Sequence, residues 1–245
     1  MTSVLLRPLS ARSVVLSLML GAHPAELSAA ALVRAGELFD VPETTLRAAL
    51  SRMLASGDLV RTGSTYGLSD RLLERQRRQD ATLDVETVAW DGTWEQVVIT
   101  SSGRSAQARA ELRAVLAALR LRELREGVWL RPANLARPLP GWPADLILPL
   151  RVGKVDAPAA LSRRLWDLDG WAAGGRALLD AMADPGSERA ALTLNAAAVR
   201  HLLSDPALPP DLLPEAWPSA ALRAAYERYR AALRSRLNAR SVLAG

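Results

Sequence analysis

The chain has 245 residues, 49% of them hydrophobic and 23% charged, which is typical of a globular protein and excludes a disordered or membrane-embedded one. Its 31 Lys and Arg residues exceed its 26 Asp and Glu residues by five, a balance that suits a polyanionic partner such as nucleic acid. With no Cys and only two His, the sequence excludes disulfides, thiolate chemistry and multi-histidine metal sites. Codon bias in a GC-rich genome is the alternative source of the arginine excess.

The N-terminal segment predicts two short helices. The first covers about residues 10–20 and ends at Gly21. Its apolar run resembles that of a signal peptide, but about eight residues cannot span a bilayer, and a buried helix in a cytoplasmic protein is the favoured interpretation. Ser28 is the expected N-cap of the second helix, which ends near Phe39.

A third helix is predicted after Asp40, where Asp40 and Glu43 have the spacing of a capping box and Pro42 fits the first turn. Its helical periodicity gives one apolar face, formed by Leu46, Ala49, Leu50 and Met53. The other face is small, hydroxylated and cationic, and it carries Thr44, Thr45, Arg47, Ala48, Ser51 and Arg52. Such a face suits the major groove of DNA, and a solvated face without a role is the alternative.

Two β segments are expected next, at 59–61 and 65–68 around a Gly63-Ser64 turn. Three helices followed by a hairpin is the order of a winged helix-turn-helix, in which one face of the third helix packs and the other lies against DNA. The sequence therefore predicts two sets of DNA-binding residues. The helix supplies Thr44, Thr45, Arg47, Ser51 and Arg52, and the hairpin supplies Arg61, Ser64, Thr65 and Tyr66.

The middle of the chain alternates between helical and strand-like patterns. A basic helix is expected within 69–82, with Arg71, Arg75, Arg77 and Arg78, either as a connector near DNA or as a solvated linker. A strand at 94–100, a helix at 105–127 and strands at 128–134 and 145–155 follow. This order predicts a small α/β sandwich.

The C-terminal third is rich in Ala, Leu and Arg and predicts a helical domain. One long or broken helix is expected at 159–184 and a second at 187–205, before a proline-rich connection at 206–219. The last helix covers about 221–237. It is either a packed amphipathic helix or part of a dimer interface or effector pocket.

Five segments taken together resemble the PaaX family of bacterial repressors. They are ARSVVLSLMLG (11–21), TTLRAALSRMLASGDLVRTGSTYGLS (44–69), WDGTWEQVVI (90–99), LRELREGVWLRPANL (121–135) and HLLSDPALPPDLLPEAWP (201–218). They extend in order over nearly the whole chain, and the Trp-Asp-Gly-Thr-Trp and Gly-Val-Trp-Leu-Arg-Pro motifs are more specific than a winged helix alone. The family's wing usually has a Gly-Arg pair before its Tyr. Gly63-Ser64-Thr65-Tyr66 lacks that arginine and therefore the phosphate or minor-groove contact that it would make.

The resemblance implies an α+β, mainly helical protein. The expected domains are a winged helix-turn-helix (1–80), a ferredoxin-like middle domain (81–156) and a helical domain (157–245). The proline-rich stretch 135–144 leaves no normal helix before the last strand, so the middle domain is expected to be abbreviated. This domain is similar to small CRISPR-associated nucleases, but no enzyme activity is expected. Ile99-Thr100-Ser101-Ser102 ends the first strand without a carboxylate, and Asp91 lies before the strand in a turn.

The resemblance also implies a homodimer on a double-stranded DNA operator, repressing phenylacetic acid catabolism. Its affinity would fall on binding an aryl-acyl-CoA such as phenylacetyl-CoA, with no cofactor, metal or membrane involved. We expect the effector site within 85–245, where arginines accompany Trp94, Trp129, Trp142, Trp166, Trp171 and Trp217. The alternative is that these tryptophans are core residues. A winged helix that binds protein and not specific DNA is the alternative function.

Overall fold

In the computed structural model, which describes residues 9–101, 103, 105–143 and 145–242, the chain divides into two units. The first contains the residues up to Asp84, Ala173–Ser204 and the residues from Pro218 onward; the second contains Val85–Ala172 and Asp205–Trp217. The residues of the helical domain expected at 157–245 are shared between the two units. Within the described ranges, no helix is both long enough and apolar enough to cross a membrane.

Three helices open the first unit: α1 (Ala11–Gly21), α2 (Ala29–Leu38) and α3 (Glu43–Ala55). Ser10 and Ser28 cap the first two, because each side-chain oxygen accepts a hydrogen bond from the backbone N–H three residues later. The sequence predicted the cap at Ser28, whereas Ser10 was expected only as the approximate start of the first helix.

The start of α3 differs from the expected capping box. Pro42 is the N-cap residue, and no side chain caps the helix. Asp40 lies two residues earlier in a left-handed backbone conformation, with φ 55°, so it cannot act as the cap for Glu43. The apolar face of the helix agrees with the prediction, since Leu46, Ala49, Leu50 and Met53 are all buried.

A three-stranded antiparallel sheet completes the N-terminal part of this unit. It contains β1 (Glu26–Ser28), β2 (Leu59–Thr62) and β3 (Thr65–Leu68) in the order β1-β3-β2. The β2–β3 hairpin has the predicted two-residue turn, and Gly63 adopts φ 61°, which glycine tolerates without strain. The sequence did not predict β1, which is only three residues long.

The remaining helices of the first unit are α4 (Asp70–Leu83), most of α7 (Leu168–Ala183), α8 (Glu188–Leu203) and α9 (Ser219–Val242). Leu192 of α8 is buried in the core formed by α1–α3 and the hairpin, and Tyr229 and Leu233 of α9 pack against that core. The buried Gln76 of α4 donates hydrogen bonds to the carbonyls of Leu20 and Ala22 at the end of α1. The N-terminal and C-terminal helices therefore share one core.

A four-stranded antiparallel sheet forms the second unit with α5 (Ala106–Ala118). Its strands are β4 (Trp94–Ile99), β5 (Arg122–Arg125), β6 (Val128–Pro132) and β7 (Ile147–Val152), in the order β5-β6-β4-β7. This is the strand order of a ferredoxin-like sheet. The described residues between β6 and β7 form no helix, as the prolines there predicted.

The single helix expected at 105–127 is wrong in its second half. The helix ends at Ala118, and Arg120 has φ 63°, which no α-helix continues. Arg122–Arg125 then forms β5 and pairs with β6. The arginines and glutamates of this stretch fit both patterns, and tertiary pairing decides between them.

The other face of this sheet packs on the segments that follow it. Here α6 (Pro158–Leu165) and a short 3-10 helix, Pro210–Leu212, enclose Trp94, Leu130 and Trp166. The chain leaves the helical conformation between α6 and α7, at Trp166. Of the two alternatives predicted at 159–184, the broken helix is therefore the observed one.

Candidate nucleic-acid interface

The polar face of α3 is exposed over its whole length. Thr44, Thr45, Arg47, Ser51 and Arg52 all lie on this face, as predicted. The face is accessible because the opposite side of the helix is fixed in the core, with Leu46 fully buried. The first turn also presents backbone N–H groups, which favour an anion.

Arg47 has a partner within the helix. Its Nε donates to Oε1 of Glu43 at 2.6 Å, one turn earlier, and both side chains are more than half exposed. An exposed pair of this kind contributes less than about 1 kcal/mol, so Arg47 can exchange Glu43 for a phosphate or a base edge at little cost.

Arg61 lies on the hairpin and is held by two contacts. Its Nε donates to the carbonyl oxygen of Gly63 at 2.8 Å, and its guanidinium lies 5.7 Å from the centre of the Tyr66 ring. The arginine is exposed, whereas Tyr66 is only 8% exposed and belongs to the core. The Tyr66 ring therefore forms a cation–π contact with the Arg61 guanidinium. DNA contact by Tyr66 itself stays a prediction.

The tip of the hairpin is joined to α2. The carbonyl oxygen of Ser64 accepts from the backbone N–H of Ala29 at 3.0 Å, and Thr65 pairs with Ser28. Ser64 is exposed and Thr65 is half-buried. The first residues of α2 thus fix the tip.

Asp58 is a residue whose role the sequence did not predict. Its buried carboxylate accepts from Nη2 of Arg12 at 2.7 Å and also from Arg71. The hydrogen bond from Arg12 is the main reason that the pKa of Asp58 is lowered. One carboxylate at the end of α3 thereby fixes α1 and α4, and it aligns two largely exposed arginines.

Helix α4 has an exposed basic side. Arg71, Arg75, Arg77 and Arg78 are all exposed, but Arg77 pairs with Glu74 at 2.7 Å. The basic connector and the solvated linker both remain consistent with these positions.

The described residues that directly follow β4 carry no carboxylate, which the resemblance to the nucleases would require there. Asp91 accepts from the backbone N–H and the hydroxyl of Thr93, which lowers the pKa of Asp91 and closes a turn at Gly92, with φ 90°. Within the described residues, no three His, Cys, Asp or Glu side chains could hold a metal ion. Ser102, at the end of the predicted strand, lies outside the described residues.

Five tryptophans of the second unit form two groups, and Trp142 is half-buried against the core beneath α5. Trp94, Trp129 and Trp166 are buried. Trp171 and Trp217 stack with ring centres 4.3 Å apart and planes 13° apart, and both are partly exposed. The first group agrees with the alternative that these residues are core, and an effector site at the tryptophans stays a prediction.

Three family models match the chain. They are described as PaaX-like protein (residues 10–72), PaaX protein central Cas2-like domain (87–140) and PaaX-like protein C-terminal domain (171–241). A solved structure, "Uncharacterized protein Rv0674 from Mycobacterium tuberculosis", is 48% identical, with a TM-score of 0.83 over 94% of this chain and 98% of that chain. No curated protein matches.

Proposed function

Because the chain belongs to the PaaX family, a family of regulators, we propose that it is a regulator of transcription that binds specific DNA sequences. The observation that carries this proposal is the two-faced α3, with a buried apolar face and an exposed face of hydroxyls and arginines. A helix of this kind is what the major groove accepts. We propose no catalytic role.

The arrangement around α3 supports a winged helix-turn-helix. Helices α1–α3 precede the β2–β3 hairpin, and β1 pairs with β3. In the proposed complex, the N-terminal half of α3 enters the major groove. Arg61 and the hairpin tip lie along the phosphate backbone, where a cation contributes affinity without reading sequence.

We further propose that the protein represses genes of phenylacetate or other aromatic catabolism and that an acyl-CoA, such as phenylacetyl-CoA, weakens its DNA binding. This part rests on the family. The two-fold axis of a homodimer would match that of a pseudo-palindromic operator. Its half-sites would lie about 34–36 Å apart or a multiple of that distance. An effector that weakens DNA binding must itself bind the DNA complex less tightly by the same factor.

A gel-shift assay on the region upstream of the protein's own gene tests both parts. We expect a retarded complex at about 100 mM salt that phenylacetyl-CoA dissociates and that weakens as salt rises. A complex that no acyl-CoA affects would remove the effector from the proposal. Failure to retard any duplex, or to bind heparin in a salt-dependent way, would favour the alternative of a protein-interaction module.

A further inference from the structure

A small cavity that is partly open to solvent lies in the first unit, between α9 and the pair α1 and α2. Its volume is about 170 Å³ and its wall is largely apolar, with Leu18 and Leu233 on opposite sides. The space exists because small residues line it: Ala31 is one, and a Cβ added at Gly21 would meet no atom within 4 Å. An apolar cavity of about 150 Å³ is large enough to hold a benzene ring.

Three arginines also line this cavity. They are Arg34 of α2 and Arg230 and Arg234 of α9, and no Asp or Glu is among the described residues that line it. Arg230 pairs with Glu227 at 3.2 Å, but that carboxylate is more than half exposed and outside the cavity lining. Positive charge beside apolar surface fits a ligand that has an anionic group next to a small apolar group.

We propose that this cavity binds a small apolar group of about the size of an aromatic ring, joined to an anionic group that Arg230 and Arg234 contact. A free arylalkanoic acid and a coenzyme A thioester share this chemistry. The first offers a carboxylate near the ring, and the second offers phosphates farther from it. The location differs from the one expected from sequence, because α9 lies within 85–245 but α1 and α2 do not.

The cavity is separated from the candidate DNA interface only by α2. Ala35 lines the cavity, and the next residue, Gly36, faces α3. A Cβ at Gly36 would lie 3.0 Å from Cδ1 of Leu46, so α2 and α3 are in close contact. Because packed interiors transmit displacement, a ligand that moves α2 also moves α3. This regulatory consequence rests on the proposed function, whereas ligand binding does not.

Calorimetry on the full chain without DNA tests ligand binding directly, with phenylacetate, phenylacetyl-CoA and coenzyme A as probes. We expect at least one aryl probe to bind. Coenzyme A alone should bind about tenfold more weakly than its phenylacetyl thioester, because the apolar group adds buried area. Binding of phenylacetate alone would identify a free acid as the ligand type, and binding of the thioester alone would identify the acyl-CoA.

Two variants locate the site, each with a control on the same helix. Ala31→Leu fills the cavity and should lower affinity about tenfold or more, whereas Ala30→Leu, at an exposed position, should not. Arg234→Gln should lower affinity about tenfold through loss of a charge-assisted contact, whereas Arg228→Gln, outside the cavity lining, should not. A thermal unfolding curve shows whether each variant is folded. If Ala31→Leu does not fold, the variant at the exposed Arg234 alone tests the location of the site.

The proposal is overturned if neither aryl probe binds, if coenzyme A alone binds as tightly as its thioester and phenylacetate does not bind, or if a folded Ala31→Leu or Arg234→Gln variant retains wild-type affinity. A protein that binds a probe through the cavity but binds no DNA would keep this site and remove the proposed function. The two failures are therefore distinguishable.

Discussion

Arg47 and Arg61, the two arginines proposed to contact DNA most directly, both have partners within the protein. Arg47 pairs with Glu43 on α3, and Arg61 donates to the hairpin carbonyl of Gly63. Both contacts are exposed and contribute little net free energy, so DNA phosphates or bases can replace them at little cost. The internal contacts hold the guanidinium groups near the surface that we propose to face DNA.

Arg47→Ala should weaken specific DNA binding by about 1–3 kcal/mol if Arg47 reads a base edge. Fluorescence anisotropy with the upstream duplex measures this change. Glu43→Gln is the matched control: it removes the negative charge of the internal partner but keeps Arg47, so this variant should bind at least as tightly as wild type. An unchanged affinity in Arg47→Ala would show that α3 does not read DNA through this side chain.

Arg61→Ala should lower affinity for all DNA sequences alike, because a hairpin arginine along the backbone neutralises phosphate without reading bases. The slope of log affinity against log salt should decrease in magnitude by roughly one. Arg61→Lys keeps the charge and should restore most of that slope. A loss limited to one base position would contradict the phosphate contact.

At the scale of the elements, local signals predicted the parts of the fold that they control. The cap at Ser28, the buried face of α3 and the Gly63-Ser64 turn were all visible in the sequence. The strand β5 was not, because its residues also fit a helix and only pairing with β6 selects the extended form. The role of Asp58 was equally hidden, since its partners are 46 and 13 residues away.

Asp58→Asn should destabilise the first unit by about 1–3 kcal/mol, because it removes the charged acceptor shared by Arg12 and Arg71. Far-UV circular dichroism in urea follows this unit, which contains most of the helices. The exposed Asp156→Asn variant is the control and should unfold like wild type.

The pH dependence of this effect has a defined sign. Hydrogen bonding from Arg12 lowers the pKa of Asp58 in the folded state, so its stabilisation is complete above the unfolded pKa of about 3.9. It is lost as the pH falls through the folded pKa. The difference between wild type and Asp58→Asn should therefore be large at pH 7 and shrink in strong acid. A difference that does not depend on pH would show that the Asp58 charge is not the cause.

The carboxylate of Glu95 lies 3.9 Å from Nε of Arg131 and 3.5 Å from Nη2 of Arg137. Arg131→Ala should destabilise the second unit by about 3 kcal/mol, because it removes the fully buried one of these two cations. Arg131 is fully buried; burial lowers its pKa to about 9, so it is still charged at neutral pH. Its guanidinium donates to Asn134 and to the carbonyl of Ala207, which fixes the 205–217 segment to the sheet.

Tryptophan fluorescence in urea measures this effect selectively, because all seven tryptophans belong to the second unit. The exposed Arg125→Ala variant on β5 is the control and should keep the wild-type midpoint. An unchanged midpoint in Arg131→Ala would mean that Arg131 does not hold the unit together.

At the scale of the whole molecule, the chain passes between its two units more than once. The residues around Asp205 return to the second unit before α9 completes the first. The three domains expected from the resemblance follow the order of the chain, whereas these two units are defined by which residues contact one another. The helices α8 and α9 pack with the N-terminal helices, about 150 residues or more away in sequence.

Sequence-specific DNA binding can be tested by a competition titration. A labelled fragment from the region upstream of the protein's own gene is displaced by the same unlabelled fragment or by a scrambled fragment of equal composition, at fixed salt. We expect the upstream fragment to compete at least about 10³-fold more effectively, and the Arg47→Ala variant to lose most of that ratio. Equal competition by the two fragments would contradict the proposal that this protein recognises DNA sequence through α3.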